Sequence, residues 1–217
     1  MKQVFILVEG QTEQTFVKEL LAKYMYQQGV TCEVNAVLIR TSKTGKGGFT
    51  NYEYVKNDVN RLLKTPHAIV TTMMDFFRHP VLPNEDKMSK DLSHIQQVEW
   101  LEEQIDKDID NPRFFSYIQM HEFEALLFAS DRGFNEYLSD KNREIPKIMN
   151  EYPNPEDINT SPQGAPSKRL IAIDSTYDKV IQGNLIALEV GIEDMLQKCP
   201  RFKQWVERLI VRVKEEY

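Results

Sequence analysis

Two apolar runs in this sequence stop at an acid. Val4 to Val8 (VFILV) leads into Glu9 and Gly10, with Glu13 four residues after Glu9, and Ala68 to Met74 (AIVTTMM) leads into Asp75. A third run, Phe114 to Met120 (FFSYIQM), ends in His121 and Glu122, with Glu124 two residues on. If the runs are strands of one parallel sheet, their C-terminal ends line one edge, where ligands bind in such folds. Carboxylates brought together there need a cation between them, or some must stay protonated. Oxygen-only ligation suits hard Mg²⁺ or Mn²⁺, and such an ion activates water and offsets charge on a phosphate. Glu9 and Asp75 are therefore the candidate catalytic and metal-binding pair, completed by Glu122 or Glu124. Those two cannot easily point the same way at a strand-to-helix junction. Gly10 permits a tight turn and close approach to a ligand. Glu13 reads most simply as a favourable charge in the first turn of a helix, supporting the site.

Cations that could hold a phosphate backbone lie elsewhere. Arg40, Lys43 and Lys46 are interleaved with Gly45, Gly47 and Gly48, as phosphate-holding loops often are; a plain surface loop is the alternative. Lys46 is followed by Gly47, so this is not a Walker A loop. Lys168 and Arg169 follow Pro166 and Ser167 at a candidate helix start that would suit a phosphate; a capped helix with solvated cations is the simpler reading. His121 reads first as a structural histidine, with metal ligation or proton transfer as alternatives, since no second histidine stands at ligand spacing. Phe76–Phe77 and Phe114–Phe115 read as core or lid packing rather than base stacking. There is no GxGxxG and no GxSxG signature, which argues against a nicotinamide enzyme and a serine hydrolase.

The elements that position these groups follow from periodicity. Lys2 to Val8, Thr31 to Arg40, Ala68 to Met74 and Phe114 to Met120 read as strands, the apolar ones buried on both faces as in a parallel sheet. Between them fall helical patterns: one capped by Thr12 and running to about Tyr26, one over Tyr54 to Lys64 and one over Ile95 to Ile109, while Glu122 to Phe128 also looks helical. Residues 76 to 93 read as a long loop over the site, and 131 to 166, broken by Pro146, Pro153, Pro155, Pro162 and Pro166, as a helical or irregular insertion followed by C-terminal helices. The expected fold is α/β: a mainly parallel sheet with flanking helices. It divides into an α/β core over 1–130 and, packed on the same domain, the insertion and C-terminal helices over 131–217.

The bulk composition narrows the class. The chain has 217 residues, 41% hydrophobic and 28% charged, with a net charge of −6. That balance suits a globular domain and argues against a wholly basic nucleic-acid coat protein. Two cysteines without a CxxC pair suit a reducing compartment. The N-terminal apolar run is too short for a signal peptide or membrane span, so a cytoplasmic protein is expected.

VEGQTE after the first strand, a strand ending in Asp75 and HEFEALLF after another resemble the Toprim superfamily of topoisomerases, primases and overcoming-lysogenisation-defect nucleases. More closely, with SPQGAPSKRL (161–170) and CPRFKQW (199–205), the chain resembles the bacterial domain-of-unknown-function family 4276. The resemblance implies an Mg²⁺-dependent phosphodiester site, with Glu9 as general acid/base and Asp75 opening the metal-binding Asp-x-Asp motif. The second aspartate of that motif is Phe77 here, so Glu122 or Glu124 would have to supply the missing ligand, or the site is weakened. Kinship also implies antiphage or plasmid defence, sometimes with an ATPase partner. The leading expectation is a metal-dependent nuclease; the alternatives are a catalytically weak regulatory or toxin subunit acting through an ATPase, and a small-molecule phosphohydrolase.

Overall fold

The computed structural model describes residues 2–40, 51–158, 161 and 163–215. Three strands form the centre: β1 (Gln3–Val8), β2 (Glu33–Leu38) and β3 (Ala68–Asp75). β1 pairs in parallel with both of the others, Val8 lying opposite Leu38 on one side and Met73 on the other. β3 is buried along nearly its whole length, so its unbroken apolar sequence reflects cover on both faces. Alternate side chains divide between two cores, as the two-residue period of a strand requires. Val4, Ile6, Val8, Ile69 and Met73 face one cluster, and Leu7, Val70 and Met74 face the other.

The second cluster is closed by α3 (Tyr52–Leu62) and α4 (His94–Ile109) through Val55, Val59, Val98, Leu101 and Ile105. Helix α4 starts at a capping box in which Ser93 and Gln96 satisfy each other's backbone N–H groups. Residues 76 to 93 lie against this side: Leu82 is buried in the cluster, and Asn84 Nδ2 donates to Gln104 Oε1 at 3.1 Å. The first cluster is closed by the segment after β1 and by the C-terminal helices, through Phe16, Leu21, Phe123, Phe128, Phe202 and Trp205.

Helix formation after β1 differs from expectation in two ways. Gly10, not Thr12, occupies the N-cap, and it makes no side-chain cap; Thr12 is buried within the first turn. The helix also changes pitch, from α1 (Gln11–Phe16) through a π turn (Val17–Leu21) to α2 (Ala22–Gln27). Such turns recur near functional sites.

The expected fourth strand is two short ones, β4 (Phe114–Phe115) and β5 (Ile118–Gln119), both parallel to β3. The cause is a side chain. Thr72 Oγ1 accepts the Tyr117 N–H and donates to the Tyr117 carbonyl, each at 2.9 Å, so a hydroxyl takes the strand's N–H there and leaves the carbonyl only a long ladder bond of 3.4 Å from the Met74 N–H. On the outer side, carboxylates of α4 take the edge donors: Asp106 accepts from Ser116 N–H at 2.6 Å and Glu102 from Ile118 N–H at 2.7 Å. The fold is thus α/β, a five-stranded parallel sheet in the order β2-β1-β3-β4 with β5 also on β3.

After β5 the stretch that looked helical is a 3₁₀ helix, Phe123–Ala129. The proline-rich stretch carries α5 (Phe134–Tyr137), α6 (Glu144–Glu151) and a 3₁₀ turn (Pro155–Asp157). Then come α7 (Pro166–Ile173), a second π turn (Lys179–Gly183), α8 (Asn184–Val190), α9 (Ile192–Lys198) and α10 (Pro200–Lys214). Among the described residues no helix is long and apolar enough to cross a membrane.

The Thr72 hydroxyl offers a direct test. Thr72→Val keeps the side-chain shape but leaves the buried Tyr117 N–H unpaired and its carbonyl with only the long 3.4 Å bond from the Met74 N–H, which should cost about 1–3 kcal/mol. Urea unfolding of the two proteins reads this difference; equal midpoints would mean that the hydroxyl does not hold the strand break.

Candidate active site

β1 and β3 are neighbours, so the residues that end them meet. The Asp75 N–H, the next ladder donor beyond β1, finds no strand carbonyl and donates instead to Glu9 Oε1 at 2.7 Å. Asp75 Oδ1 in turn accepts the Phe123 N–H at 3.0 Å, which ties β3 to the start of the 3₁₀ helix. Two further acids complete the corner. Glu13, in the first turn of α1, is only 2% exposed, and Glu124 of the 3₁₀ helix is fully buried. Gly10 is extended, with φ −142° and ψ 176°, so its role is not a tight turn. A Cβ there would lie 2.9 Å from Glu13 Oε2, and the missing side chain leaves room for that carboxylate.

The partner that the sequence did not signal is Lys179. Its Nζ lies 3.1 Å from Glu13 Oε1, 3.3 Å from Glu124 Oε2 and 3.9 Å from Asp75 Oδ2. Asp178 caps the π turn that carries it, accepting the Ile181 N–H at 2.8 Å. Gln182 closes the turn, taking the Asp178 N–H on Oε1 and donating from Nε2 to the Tyr137 carbonyl, each at 2.6 Å. A lone lysine in STYDKV (175–180) carries no pattern that sets it apart from a solvated surface cation.

Electrostatics follow from burial and crowding. Burial, opposed by the Asp75 N–H and Lys179 and reinforced by Glu13, pushes the Glu9 carboxyl up to about 7. Burial likewise holds Asp75 well above the usual carboxylate range, against Lys179 and with Glu9, Glu13 and Glu124 adding to it. Glu124 is raised by burial, again against Lys179. For Lys179, burial acts to lower the pKa, but Asp75, Glu124 and Glu13 outweigh it and hold the ammonium above its ordinary range. Glu13 Oε2 and both Glu124 oxygens are buried without hydrogen-bond partners. Oxygen-only donors with unused lone pairs suit a hard divalent cation in kind. As the side chains stand, no group of three or more His, Cys, Asp or Glu among the described residues is placed to hold a metal ion; the cation they share is the ammonium.

The remaining candidates separate. Glu122 faces away from Glu124: its carboxylate accepts the Ser167 N–H and hydroxyl, each at 3.0 Å, at the start of α7. This contact brings the start of α7 to the segment that follows β5. Phe77 donates its N–H to the His121 carbonyl at 2.8 Å, and its ring lies under Arg78 at 4.9 Å, so no acid stands at that position. His121 Nε2 pairs with the Glu156 carbonyl at 3.0 Å; burial lowers its pKa to about 4, leaving the ring neutral. Arg40 pairs with Asp58, through its N–H at 3.1 Å and its Nε at 3.6 Å. Arg169 holds the Gly164 carbonyl at 2.8 Å and the Tyr152 hydroxyl at 3.2 Å. Lys168 is exposed at the start of α7. Lys43 and Lys46 lie outside the described residues.

The raised Glu9 pKa has a consequence for stability. The folded chain binds the Glu9 proton more tightly than the unfolded chain does, so this contribution is complete below the ordinary value of 4.5 and is lost as pH rises through about 7. Metal-free protein should therefore lose roughly 1–3 kcal/mol across that window from this group. Glu9→Gln should flatten the slope in urea unfolding followed against pH in EDTA; an unchanged slope would show that Glu9 is an ordinary carboxylate.

Comparison with known proteins adds the family. No curated protein matches the sequence. Among solved structures, the chain is similar to the C-terminal region of the Xanthomonas campestris pv. campestris OLD protein, with 16% identity over 97% of this chain and 93% of that one and a TM-score of 0.45. It is also similar to the C-terminal region of the Burkholderia pseudomallei OLD protein, with 13% identity over 97% and 96% of the two chains and a TM-score of 0.45. The model of a domain of unknown function (DUF4276) matches residues 8–210. The chain belongs to the DUF4276 family.

Proposed function

We propose that this protein is a divalent-metal-dependent phosphodiesterase, in the first instance a nuclease of the Toprim type. The observation that carries the reading is the convergence of Glu13, Asp75 and Glu124 on one cation position, with Glu9 bonded to the Asp75 N–H beside them and three carboxylate oxygens buried without a hydrogen-bond partner. Glu9, Asp75 and Glu124 hold raised pKa values, as functional groups do.

Mg²⁺ or Mn²⁺ would be held by these four side chains. When bound, such an ion supplies an activated water and offsets the charge of a phosphate. The chain's own residues supply the rest. Glu9, with a pKa near 7, can hold or release a proton at neutral pH, as a general acid or base must. Asp75 is kept in one orientation by the Phe123 N–H. Lys179 brings positive charge to the place where phosphate oxygens would gather. Arg40 and Lys168, with Lys43 and Lys46, are the cations offered to a nucleic-acid backbone. A place in antiphage or plasmid defence, beside an ATPase partner, rests on the Toprim resemblance alone.

Two observations favour a second reading. Lys179 already fills the cation position, and Phe77 brings no acid. A catalytically weak regulatory or toxin subunit acting through an ATPase would tolerate both.

Calorimetric titration with Mn²⁺, followed by plasmid and RNA cleavage assays, tests the proposal. The wild type should bind Mn²⁺ and cleave a substrate; Glu9→Gln with Asp75→Asn should abolish binding and slow cleavage by about 100-fold or more. Absence of binding by the wild type in the presence of nucleic acid would favour the partner-dependent subunit, and cleavage untouched by the two substitutions would overturn the assignment of Glu9 and Asp75.

A further inference from the structure

Beside the carboxylate corner lies a set of aromatic rings that the reaction described above does not use. Phe76, the residue after Asp75, stacks on His79 with ring centres 5.4 Å apart and planes 22° apart. Its other neighbour is His94 at 6.2 Å, and His94 meets His121 edge to face at 6.4 Å. Three of the four histidines in the chain are therefore in one ring cluster. A cavity of about 360 Å³ opens against it, lined by His94, Ile95, Met120, His121, Tyr152 and Asp157 among others. That volume is at the small end of ligand sites, about 300–1,000 Å³, and suits one flat ring system rather than a length of chain.

The cavity is coupled to the carboxylates by backbone. Phe77 N–H donates to the His121 carbonyl, and Phe123, two residues after His121, donates its N–H to Asp75. Two trans peptide steps span at most about 7.6 Å, so the cavity wall begins within one nucleotide's reach of Asp75.

The lining chemistry narrows the occupant. His121 gives its Nε2–H to the Glu156 carbonyl, which leaves Nδ1 as a bare, buried lone pair without a partner. That atom could serve a metal, but no third ligand is placed to join it among the described residues. Imidazole and phenol rings with apolar side chains offer stacking faces, and Asp157 adds an acceptor for exocyclic amino groups.

We propose that this cavity is a base subsite, which receives an unstacked nucleobase beside the phosphate at the carboxylate corner, stacked on His94 and Tyr152. The ligand class rests on the phosphodiesterase reading, whereas the cavity and its rings do not. An unstacked base requires a single strand or a locally opened duplex, so the subsite favours single-stranded substrate.

Histidine side-chain NMR tests this in EDTA, where no metal is present to bind the carboxylates. The probes are adenosine, cytidine, thymidine and short single-stranded tetranucleotides. His94 and His121 ring resonances should shift saturably with at least one probe, while His67 stays still. His94→Ala and Tyr152→Leu should each weaken binding about tenfold, the size of one base–aromatic contact. Glu9→Gln with Asp75→Asn should leave nucleoside binding unchanged, which separates this subsite from the metal reading. Binding of tetranucleotides in preference to nucleosides would identify a nucleic-acid strand as the source of the base; the reverse would identify a free nucleotide. No saturable shift at His94 or His121 with any probe at millimolar concentration would overturn the proposal.

Discussion

Four carboxylates can share one buried corner only if positive charge is buried with them or some stay protonated. At a separation of 4 Å, unit charges interact by about 4 kcal/mol even at an effective dielectric constant of 20, so the repulsion among Glu9, Glu13, Asp75 and Glu124 would otherwise open the sheet edge. Lys179 meets that requirement from a π turn far along the chain, reaching Glu13, Glu124 and Asp75 at once. The C-terminal region is therefore not an accessory to the sheet. It carries the countercharge, and it covers one face of the sheet through Phe202 and Trp205.

Carboxylates also fix those distant helices in place. Glu122 holds the start of α7 through Ser167. Glu156 accepts the Arg201 and Phe202 N–H groups at the start of α10, each at 2.9 Å, where the helix dipole favours negative charge. Glu102 joins three elements: it accepts from the β5 backbone and pairs with Arg201 at 2.7 Å. Adjacent acids in one stretch thus differ in role by direction alone. Glu122 anchors a helix, while Glu124, two residues on in a tight 3₁₀ turn, faces the corner.

Much of this was legible in the sequence, and the boundary is physical. An apolar run that stops at an acid marks a strand end, which is why Glu9 and Asp75 could be read directly, and continuous burial of β3 followed from AIVTTMM. Glu13 looked like an ordinary first-turn charge because helical phase alone does not say which element lies opposite. The break between β4 and β5 depends on a Thr72 hydroxyl, which apolar periodicity does not register. Lys179 was out of reach for a deeper reason: its meaning comes from a contact across more than a hundred residues, and nothing local distinguishes it. Phe76 read as packing, but its ring partners are His79 and His94, and His94 in turn meets His121.

The central claim is that the corner is a cation site whose ammonium can give way to a divalent ion. Anomalous diffraction from crystals grown with Mn²⁺ tests it most directly. The account requires a manganese peak among Glu9, Glu13, Asp75 and Glu124, with the Lys179 ammonium displaced from its place between them. An empty corner with Lys179 still bridging Glu13 and Glu124, in crystals saturated with Mn²⁺, would contradict it.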